Sequence, residues 1–282
     1  MPTLYVTDLD GTLLDSDITV SATTTDIFRR LTAAGALITV ATARTPATVV
    51  PLLQGTPTSA PAIVMTGAAL WHRSRGCYTD VAYMSSDDVD TALACCHDCG
   101  VYPFVYTLGS EPISIQVYHA REHLSAAEQV FFDQRRDLVL KHFNLNQPLP
   151  AGDNGRTVLF FAMGDSAAIS AAAERVSAAT ECYVSCYPDT YDPTVRLLEI
   201  FAPGVSKAAA VQRLRRSLGA ERVVVFGDNL NDLDMMRHAA DVAVAVANAR
   251  PEVLEAADVV IGPNTASSVA RYIEQDFTAQ NS

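Results

Sequence analysis

Short apolar runs alternate with helical patterns in the first and last thirds of the chain. Thr3–Thr7 and Ala36–Ala41 predict buried strands on either side of a helix that runs from Ser21 to about Ala34. A nearly continuous valine run, Arg222–Phe226, begins a second series of the same kind. Buried strands joined by helices form parallel sheets covered on both faces, so we predict the α/β class with a Rossmann-like parallel sheet.

The middle of the chain lacks this alternation. Residues 84–201 mix predicted helices and strands, and the polar stretch Asn144–Arg156 is expected to be a long loop. We interpret this part as an α+β domain inserted into an α/β domain that is formed by residues 1–83 and 202–282. The last residues, Ala279–Ser282, are expected to be frayed.

Charge and composition narrow the range of partners. The chain has 282 residues, and 49% of them are hydrophobic, which is ordinary for a globular protein. Its formal net charge is −12. Proteins that bind nucleic acid or anionic membranes normally have a basic face, so this charge disfavours both kinds of partner. Met1-Pro2 leads directly into a strand, and no apolar run is long enough for a bilayer. We expect a soluble, cytoplasmic protein that binds neither nucleic acid nor membrane; its oligomeric state cannot be predicted.

The six cysteines raise the question of a zinc site. Three of them lie in Cys95-Cys96-His97-Asp98-Cys99, and Cys182 and Cys186 could complete a set of four ligands. However, residues 85–99 are predicted to be helical, whereas structural zinc usually binds paired cysteines on turns. Buried thiols in a reducing compartment are the favoured interpretation, with zinc as the alternative.

Two acidic residues directly follow the first predicted strand, in the sequence D-L-D-G-T. An Asp-Gly-Thr turn would explain Asp10 but not Asp8, whose charge would be half buried at the strand end. Open α/β sheets bind ligands beyond the carboxyl ends of their strands, and paired carboxylate oxygens suit Mg²⁺. One carboxylate could ligate the metal and act as a nucleophile while the other transfers a proton.

Other polar residues are expected at the same edge of the sheet. Asp228 follows the valine-rich strand and Asp232 lies on the next turn, where it could face the same metal, cap the helix, or do both. Lys207 at a helix start opposes the helix dipole, which favours an anion bound there, although a solvated lysine is the alternative. Thr42 ends the second strand, and only its neighbours make it a candidate phosphate ligand.

Four motifs, taken in order, are similar to the signature motifs of the haloacid dehalogenase (HAD) superfamily. They are D-L-D-G-T, the threonine of A-T-A-R, G-V-S-K and G-D-N-L-N-D-L-D-M, and the V-A-V-A-N-A stretch at Val244–Ala249 also resembles the family. The insertion after the third strand resembles the type IIB cap of the Cof-like phosphatases. The resemblance implies a HAD core of residues 1–83 and 202–282 and an α+β cap of residues 84–201 that determines substrate specificity.

The resemblance also implies a role for each matching residue. Asp8 resembles the nucleophile that becomes an aspartyl-phosphate, and Asp10 resembles the general acid and base, whose backbone carbonyl also ligates Mg²⁺. Thr42 and Lys207 resemble the ligands of the phosphoryl oxygens, and Asp228 resembles a direct metal ligand. The implied metal set is Asp8, Asp10, Asp228, Asn231 and Asp232, of which Asn231 and Asp232 orient metal-bound waters and the lysine. The candidate substrate-binding residues are Thr42, Arg44, Gly67 and Lys207. Arg44 could reach the cap or the substrate, and a surface salt bridge is the alternative.

The activity implied is that of a Mg²⁺-dependent phosphatase of small phosphorylated metabolites, with sugar phosphates expected. A sugar phosphomutase on the same scaffold is the alternative. A signalling receiver module is disfavoured, because receivers place the acceptor aspartate on a later strand and are less than half as long. Thr42-Ala43-Arg44 and Thr66-Gly67-Ala68 stand where the family usually has T-G-R and N-G-A, so the substrate contacts are the least determined part.

Overall fold

The structure is a computed structural model that describes residues 2–108, 113–150, 156–189, 192 and 194–281. The chain folds into two compact units, one from residues 1–76 and 206–282 and the other from residues 77–205. Each unit has its own sheet and its own buried core. Within the described residues, no helix combines the length and the apolar character that a membrane span requires.

A five-stranded sheet, parallel throughout, forms the centre of the first unit. Numbered along the whole chain, its strands are β1 (Thr3–Thr7), β2 (Leu37–Val40), β12 (Arg222–Gly227), β13 (Val242–Val246) and β14 (Val259–Ile261). Their order is β14-β13-β12-β1-β2, so β1 and β12 are neighbours, with Tyr5 opposite Val224. Every residue of β1 is buried, as expected for a strand covered on both faces. The predicted parallel sheet is confirmed.

Helices connect these strands. They are α1 (Ala22–Ala33), α2 (Pro46–Leu52), α6 (Lys207–Leu218), α7 (Leu233–His238), α8 (Pro251–Ala256) and α9 (Ser268–Gln280). Serine side chains cap two of them: Ser21 Oγ accepts from the Thr24 N–H, and Ser206 Oγ accepts from the Ala209 N–H, each at 3.0 Å. The cap at Ser206 fixes the first turn of α6, where Lys207 lies.

A short antiparallel hairpin follows α2. Its strands are β3 (Ala62–Val64) and β4 (Ala69–His72), joined by the turn Met65–Gly67. An isolated parallel bridge between Ala41 and Ile63 sets β3 beside the end of β2. The hairpin turn is thereby brought to the carboxyl end of the parallel sheet.

The second unit contains a six-stranded sheet with helices packed on it. After a short first strand, β5 (Cys77–Thr79), the sheet comprises β6 (Phe104–Leu108), β7 (Ile115–His119), β8 (Lys141–Leu145), β9 (Thr157–Asp165), β10 (Tyr183–Pro188) and β11 (Val195–Phe201). The helices are α3 (Ser86–Asp98), α4 (Ala126–Arg135) and α5 (Ser166–Ala179). The order is β10-β11-β9-β6-β7-β8, with antiparallel pairs except for the parallel pair β7–β8.

A buried lysine lies in an aromatic box at the edge of this sheet. Lys141 is 4% exposed, and its Nζ lies 4.9, 5.5 and 5.9 Å from the ring centroids of Tyr106, Phe131 and Phe143. Its Nζ also lies 3.4 Å from the Tyr106 hydroxyl. Burial, together with the charge of the neighbouring Arg135, lowers the pKa of Lys141 to about 7.

Two sequence-based expectations about local structure are wrong in part. The loop expected over Asn144–Arg156 overlaps β8 at Asn144 and Leu145, where β8 pairs in parallel with β7. Residues 146–150 form neither helix nor strand, as expected, and residues 151–155 lie outside the described residues. Along β8, buried and exposed positions do not alternate, so the strand lacks the period-two pattern by which strands are recognised.

The expected fraying of the C-terminus is wrong for Ala279 and Gln280, which belong to α9. The Gln280 side chain explains the difference, because its Oε1 accepts from Thr3 Oγ1 at 2.6 Å and its Nε2 donates to Asp276 at 2.6 Å. The bond with Thr3 attaches the last turn of α9 to β1, and the bond with Asp276 lies within α9. Ser282 lies outside the described residues.

Candidate active site

Asp8 directly follows β1 and is buried. Its backbone N–H donates to the Phe226 carbonyl of β12 at 3.0 Å, so the parallel pairing of the two strands fixes its position. The Thr7 hydroxyl donates to the Asp8 carbonyl at 2.7 Å. The Asp8 side chain is therefore held at the carboxyl end of the central strands, where open α/β sheets bind ligands.

Lys207, the first residue of α6, joins two carboxylates. Its Nζ donates to Oδ1 of Asp8 at 2.6 Å and to Oδ1 of Asp232 at 2.7 Å, and its side chain has no exposed surface. A buried ammonium group requires such partners, because an unpaired charge in the protein interior is very costly. The two carboxylates also offset the unfavourable position of a lysine at the N-terminus of a helix.

Asp232 also organises the loop after β12. Its Oδ2 accepts from the backbone N–H groups of Asp228 at 3.0 Å and Asn229 at 3.1 Å. Asp232 thus caps the turn with one oxygen and holds Lys207 with the other. Its two oxygens therefore link the loop that carries Asp228 to the start of α6.

Asp228 contacts the turn that follows Asp8. Its Oδ1 accepts from the Thr12 hydroxyl at 2.6 Å. Gly11 packs against the same carboxylate with a φ of +79°, and a Cβ at this position would collide with the Asp228 carboxyl group. The D-x-D-G-T motif therefore needs its glycine for both backbone conformation and space, and its threonine for the bond to Asp228.

Three carboxylates converge closely enough to hold one metal ion. Ligand oxygens of Asp8, Asp228 and Asp232 all lie within 4.8 Å of one another, and no other group of His, Cys, Asp and Glu side chains among the described residues meets this condition. Three carboxylates against the single ammonium of Lys207 leave two uncompensated negative charges. Hard oxygen donors with an excess of negative charge fit a divalent cation.

The pKa values of the cluster show the cost of this crowding. Burial raises the pKa of Asp8 well above its usual range; Lys207 opposes this increase, and the charges of Asp232 and Asp228 add to it. Burial likewise raises the pKa of Asp228 to about 6, although the hydrogen bond from Thr12 opposes this increase. Burial disfavours the charged form of Lys207, but Asp232 and Asp8 outweigh it and raise its pKa. A bound cation would favour the ionised carboxylates.

Asp10 is not part of this cluster. Its side chain is 50% exposed, and both of its oxygens accept from Arg44, Oδ2 from Nε at 2.7 Å and Oδ1 from Nη2 at 2.6 Å. This bidentate geometry is characteristic of strong Arg–carboxylate pairs. The two acids of D-L-D-G-T therefore lie in different surroundings, Asp8 against a buried lysine and Asp10 against a partly exposed arginine.

Thr42 lies at the end of β2 and is buried. Its hydroxyl accepts from the Arg44 N–H at 3.2 Å, and its carbonyl accepts from the Thr66 N–H at 3.0 Å. Thr42 therefore connects the loop that carries Arg44 to the turn of the β3–β4 hairpin.

Gly67 lies in that hairpin turn, where Met65, Thr66 and Gly67 have φ values of +49°, +56° and +98°. A Cβ at Gly67 would collide with the backbone carbonyl of Ser206, the residue before Lys207. The left-handed conformation is unfavourable for methionine and threonine, so the surrounding structure holds the turn in place. Gly67 thus allows the turn to pack against the start of α6.

Asn231 is exposed, and no hydrogen bond within the described residues joins it to Asp8, Asp228, Asp232 or Lys207. Of the implied metal set, the structure therefore brings together the side chains of Asp8, Asp228 and Asp232. The side chains of Asp10 and Asn231 lie outside that group.

Two asparagines that the sequence-based site did not include support the Asp10 turn. Asn248 Nδ2 donates to the Gly11 carbonyl at 2.8 Å, and Asn248 Oδ1 accepts from the Asn264 N–H at 2.9 Å. Asn264 Nδ2 donates to the Leu14 carbonyl at 2.7 Å. Asn248 belongs to the V-A-V-A-N-A stretch, which could have identified it, whereas no pattern marks Asn264.

All six cysteines are free thiols. Cys96 and Cys182 are buried and the other four are partly exposed, so the expectation of buried thiols is correct for two of them. Among the described residues, the only group suited to a metal ion consists of aspartates. The zinc interpretation therefore gains no support from the structure.

Residues 5–273 match the family model of the haloacid dehalogenase-like hydrolases. The match spans nearly the whole chain, and the chain belongs to this family. The predicted family and the predicted enzyme class, a phosphoric monoester hydrolase, are confirmed.

Curated relatives of the chain include two phosphatases of Bacillus subtilis (strain 168). The 5-amino-6-(5-phospho-D-ribitylamino)uracil phosphatase YitU is 25% identical over 288 residues, which cover 98% of both chains. The phosphatase YcsE, named for the same substrate, is 38% identical over 78 residues, 27% of this chain. In the shorter matches the chain spans between 19% and 40% of the curated relatives' length, 31% in the case of YcsE.

Solved structures share the fold along the whole chain. A haloacid dehalogenase-like hydrolase from Bacteroides thetaiotaomicron matches with a TM-score of 0.76 and 20% identity, covering 98% of this chain and 100% of the other. The HAD subclass IIB sugar phosphatase BT4131 matches with a TM-score of 0.73 and 19% identity, covering 98% and 99%. The predicted fold class is confirmed, and at this identity the likeness concerns the fold alone.

Proposed function

We propose that this chain is a Mg²⁺-dependent phosphatase that hydrolyses small phosphorylated metabolites through an aspartyl-phosphate on Asp8. The observation that carries the proposal is the buried contact of Lys207 with Asp8, beside Asp228 and Asp232. Phosphoryl transfer needs a fixed nucleophile and positive charge close to the transferred group, and little other chemistry from the protein. This arrangement meets both needs.

Asp8 and Asp228 are the proposed side-chain ligands of Mg²⁺, with the backbone carbonyl of Asp10 as a further ligand. When bound, the ion would offset negative charge on the phosphoryl group. Asp232 is already engaged by Lys207 and two backbone N–H groups, so its proposed role is to orient Lys207 and the Asp228 loop. Asn231 is not included in this set.

In the first step, Asp8 attacks the phosphorus atom. Within the described residues, Lys207 alone donates a hydrogen bond to the Asp8 side chain, at Oδ1, which leaves Oδ2 available as the nucleophile. The bond between phosphorus and the leaving oxygen breaks, and that oxygen takes a proton from Asp10, which must therefore enter this step protonated while it accepts from Arg44. Lys207 and the Thr42 hydroxyl are proposed to hold phosphoryl oxygens.

In the second step, water attacks the phosphorus atom of the aspartyl-phosphate. Asp10, now ionised, takes the proton of that water, and the bond between phosphorus and the Asp8 oxygen breaks. Inorganic phosphate leaves, the Asp8 carboxylate is regenerated, and Asp10 is protonated again for the next substrate. Two moderate barriers thereby replace one very high barrier.

We propose sugar phosphates as the substrates and residues 77–205 as the substrate-selecting cap. Two findings on related proteins support the substrate class: YitU is named for a substrate with a phosphoribitylamino group, and BT4131 is described as a sugar phosphatase. We also propose that the enzyme works in the cytoplasm, which its six free thiols support, because reducing compartments keep thiols unpaired.

The test is a screen of phosphorylated metabolites with Mg²⁺ that measures phosphate release by wild type, Asp8→Asn and Asp26→Asn. Asp26, which pairs with Arg29 at the surface and has a 69% exposed side chain, is the control. We expect Asp8→Asn to abolish release and Asp26→Asn to retain it. Activity retained by Asp8→Asn would disprove the nucleophile assignment, and phosphate transfer to a second sugar hydroxyl would favour a phosphomutase.

A further inference from the structure

The Asp10 carboxylate is held by one side chain. Within the described residues, Arg44 is the only hydrogen-bond donor to it, and both Asp10 oxygens accept from Arg44, at 2.7 and 2.6 Å. Asp10 itself is half exposed. Without Arg44, no hydrogen bond among the described residues would hold this side chain in its orientation.

Arg44 is fixed in turn by the loop between β2 and α2. Its N–H donates to the Thr42 hydroxyl at 3.2 Å, and its carbonyl accepts from the Met65 N–H at 3.1 Å. The hydrogen bond with Asp10 raises the pKa of Arg44, although burial alone would lower it. The backbone of Arg44 is thus anchored on both sides, and its planar guanidinium transmits this position to Asp10 through two parallel bonds.

We propose that Arg44 is a positioning residue that orients the Asp10 carboxyl group for proton transfer to the leaving oxygen. The inference rests on the proposed function, in which Asp10 is the acid. A general acid must come within hydrogen-bond reach of the atom that it protonates, and positioned acids contribute about 10² to 10⁴ in rate. Arg44 supplies that orientation and need not contact the substrate.

This role can be separated from the one expected from the sequence, in which Arg44 binds the substrate. A phosphate-binding arginine would serve all phosphate monoesters alike, so its loss would lower kcat/KM by the same factor for every ester. Loss of a residue that positions the acid should lower kcat/KM most for esters whose leaving group needs a proton. A sugar alkoxide needs that proton, whereas p-nitrophenolate leaves without it.

The experiment compares kcat/KM of wild type, Arg44→Gln and Arg44→Lys for p-nitrophenyl phosphate and for an alkyl phosphate. Glucose 6-phosphate is the first alkyl probe, replaced by the fastest alkyl phosphate of the metabolite screen if that ester is faster. We expect both variants to lose at least about 10-fold for the alkyl ester and less than about 3-fold for the aryl ester. Lysine should not rescue, because it cannot form the two parallel bonds.

Two further variants complete the test. Arg29→Gln, in an exposed pair with Asp26, should leave both esters unaffected. In an Asp10→Asn background, Arg44→Gln should cause no additional loss for the alkyl ester, because the two residues act as one unit. If Arg44→Gln fails to fold, Arg44→Lys, which keeps the charge, provides the same comparison.

Equal losses on both esters, or additive losses in the double variant, would overturn the inference. These outcomes differ from a failure of the proposed function, in which the wild-type enzyme releases no phosphate from either ester or Asp8→Asn remains active. An active wild type, an inactive Asp8→Asn and an unaffected Arg44→Gln would reject the positioning role alone.

Discussion

The Nζ atom of Lys207 lies 2.6 Å from Oδ1 of Asp8, although 199 positions separate the two residues in the chain. Both side chains are buried, and Lys207 also donates to Asp232. The Lys207 side chain has no exposed surface and that of Asp8 is 8% exposed, so either charge would be poorly solvated without its partner. The contact therefore links the end of β1 to the start of α6, and it makes the stability of the first unit depend on the site.

Replacing Lys207 with methionine should destabilise the protein, because Asp8 and Asp232 would remain buried without a counter-charge. Breaking a buried ion pair typically costs about 3–5 kcal/mol. The free energy of unfolding, measured in urea, should fall by an amount in this range. Arg30→Met, which removes an exposed pair with Glu274, should change it by less than about 1 kcal/mol. Similar values for the two variants would contradict the prediction.

Adding Mg²⁺ should raise the thermal unfolding temperature, because a ligand that binds only the folded state stabilises it. At a free concentration of 100 times the Kd, the gain is about 2.7 kcal/mol. Asp228→Asn should abolish most of this shift, since Asp228 is a proposed ligand. The exposed Asp17→Asn should preserve it. Thermal unfolding with Mg²⁺ or with a chelator measures the effect without any substrate, and an undiminished shift in Asp228→Asn would count against the metal site.

Gly67→Ala should be more damaging than Gly35→Ala. Both glycines have a left-handed backbone, with φ of +98° and +92°, but a Cβ at Gly35 meets no atom within 4 Å, whereas one at Gly67 collides with the Ser206 backbone. Gly35→Ala should therefore cost about 1–2 kcal/mol from backbone strain alone. Gly67→Ala should add about 1–3 kcal/mol for the displaced backbone and lower activity by shifting Lys207. Chemical unfolding and phosphate release distinguish the two, and equal effects would refute the packing argument.

The buried Lys141 should make stability depend on pH. Its folded-state pKa of about 7 lies below the roughly 10.4 of an unfolded chain, so between these values the unfolded state binds more protons and stability rises with pH. The free energy of unfolding rises by at most about 1.4 kcal/mol per pH unit. The stability gained at high pH is lost as the pH falls to 7. Lys141→Met should remove this slope from urea unfolding measured between pH 7 and 9. An identical slope in wild type and variant would contradict the assignment.

Much of the fold and part of the site follow from the sequence for a physical reason. Buried parallel strands are continuous apolar runs, and charged residues at their carboxyl ends are conspicuous, so the positions of Asp8 and Asp228 relative to the sheet could be predicted. The family resemblance implies that Asp232 orients Lys207, and the unfavourable place of this lysine at a helix start predicts that an anion lies near it. Which atoms meet there depends on rotamers, which the sequence does not specify.

The unpredicted features depend on contacts between distant segments. The strand β8 has no alternating pattern and exists through its pairing with β7. The Asp10–Arg44 pair depends on how a loop after β2 is anchored to the hairpin turn. Asn264 contributes through a backbone carbonyl on another loop. No local sequence pattern predicts these features, because each depends on a contact between two distant segments of the chain.

The adjacency of β1 and β12 has a consequence for biosynthesis. A ribosome makes Asp8 before the second unit, but the loop bearing Asp228 and Asp232 emerges only after the entire second unit has been made. Until then the nascent polypeptide contains only one of the three carboxylates that converge in the folded chain. An incomplete product released at residue 205 would lack Lys207, Asp228 and Asp232, and we expect it to release no phosphate.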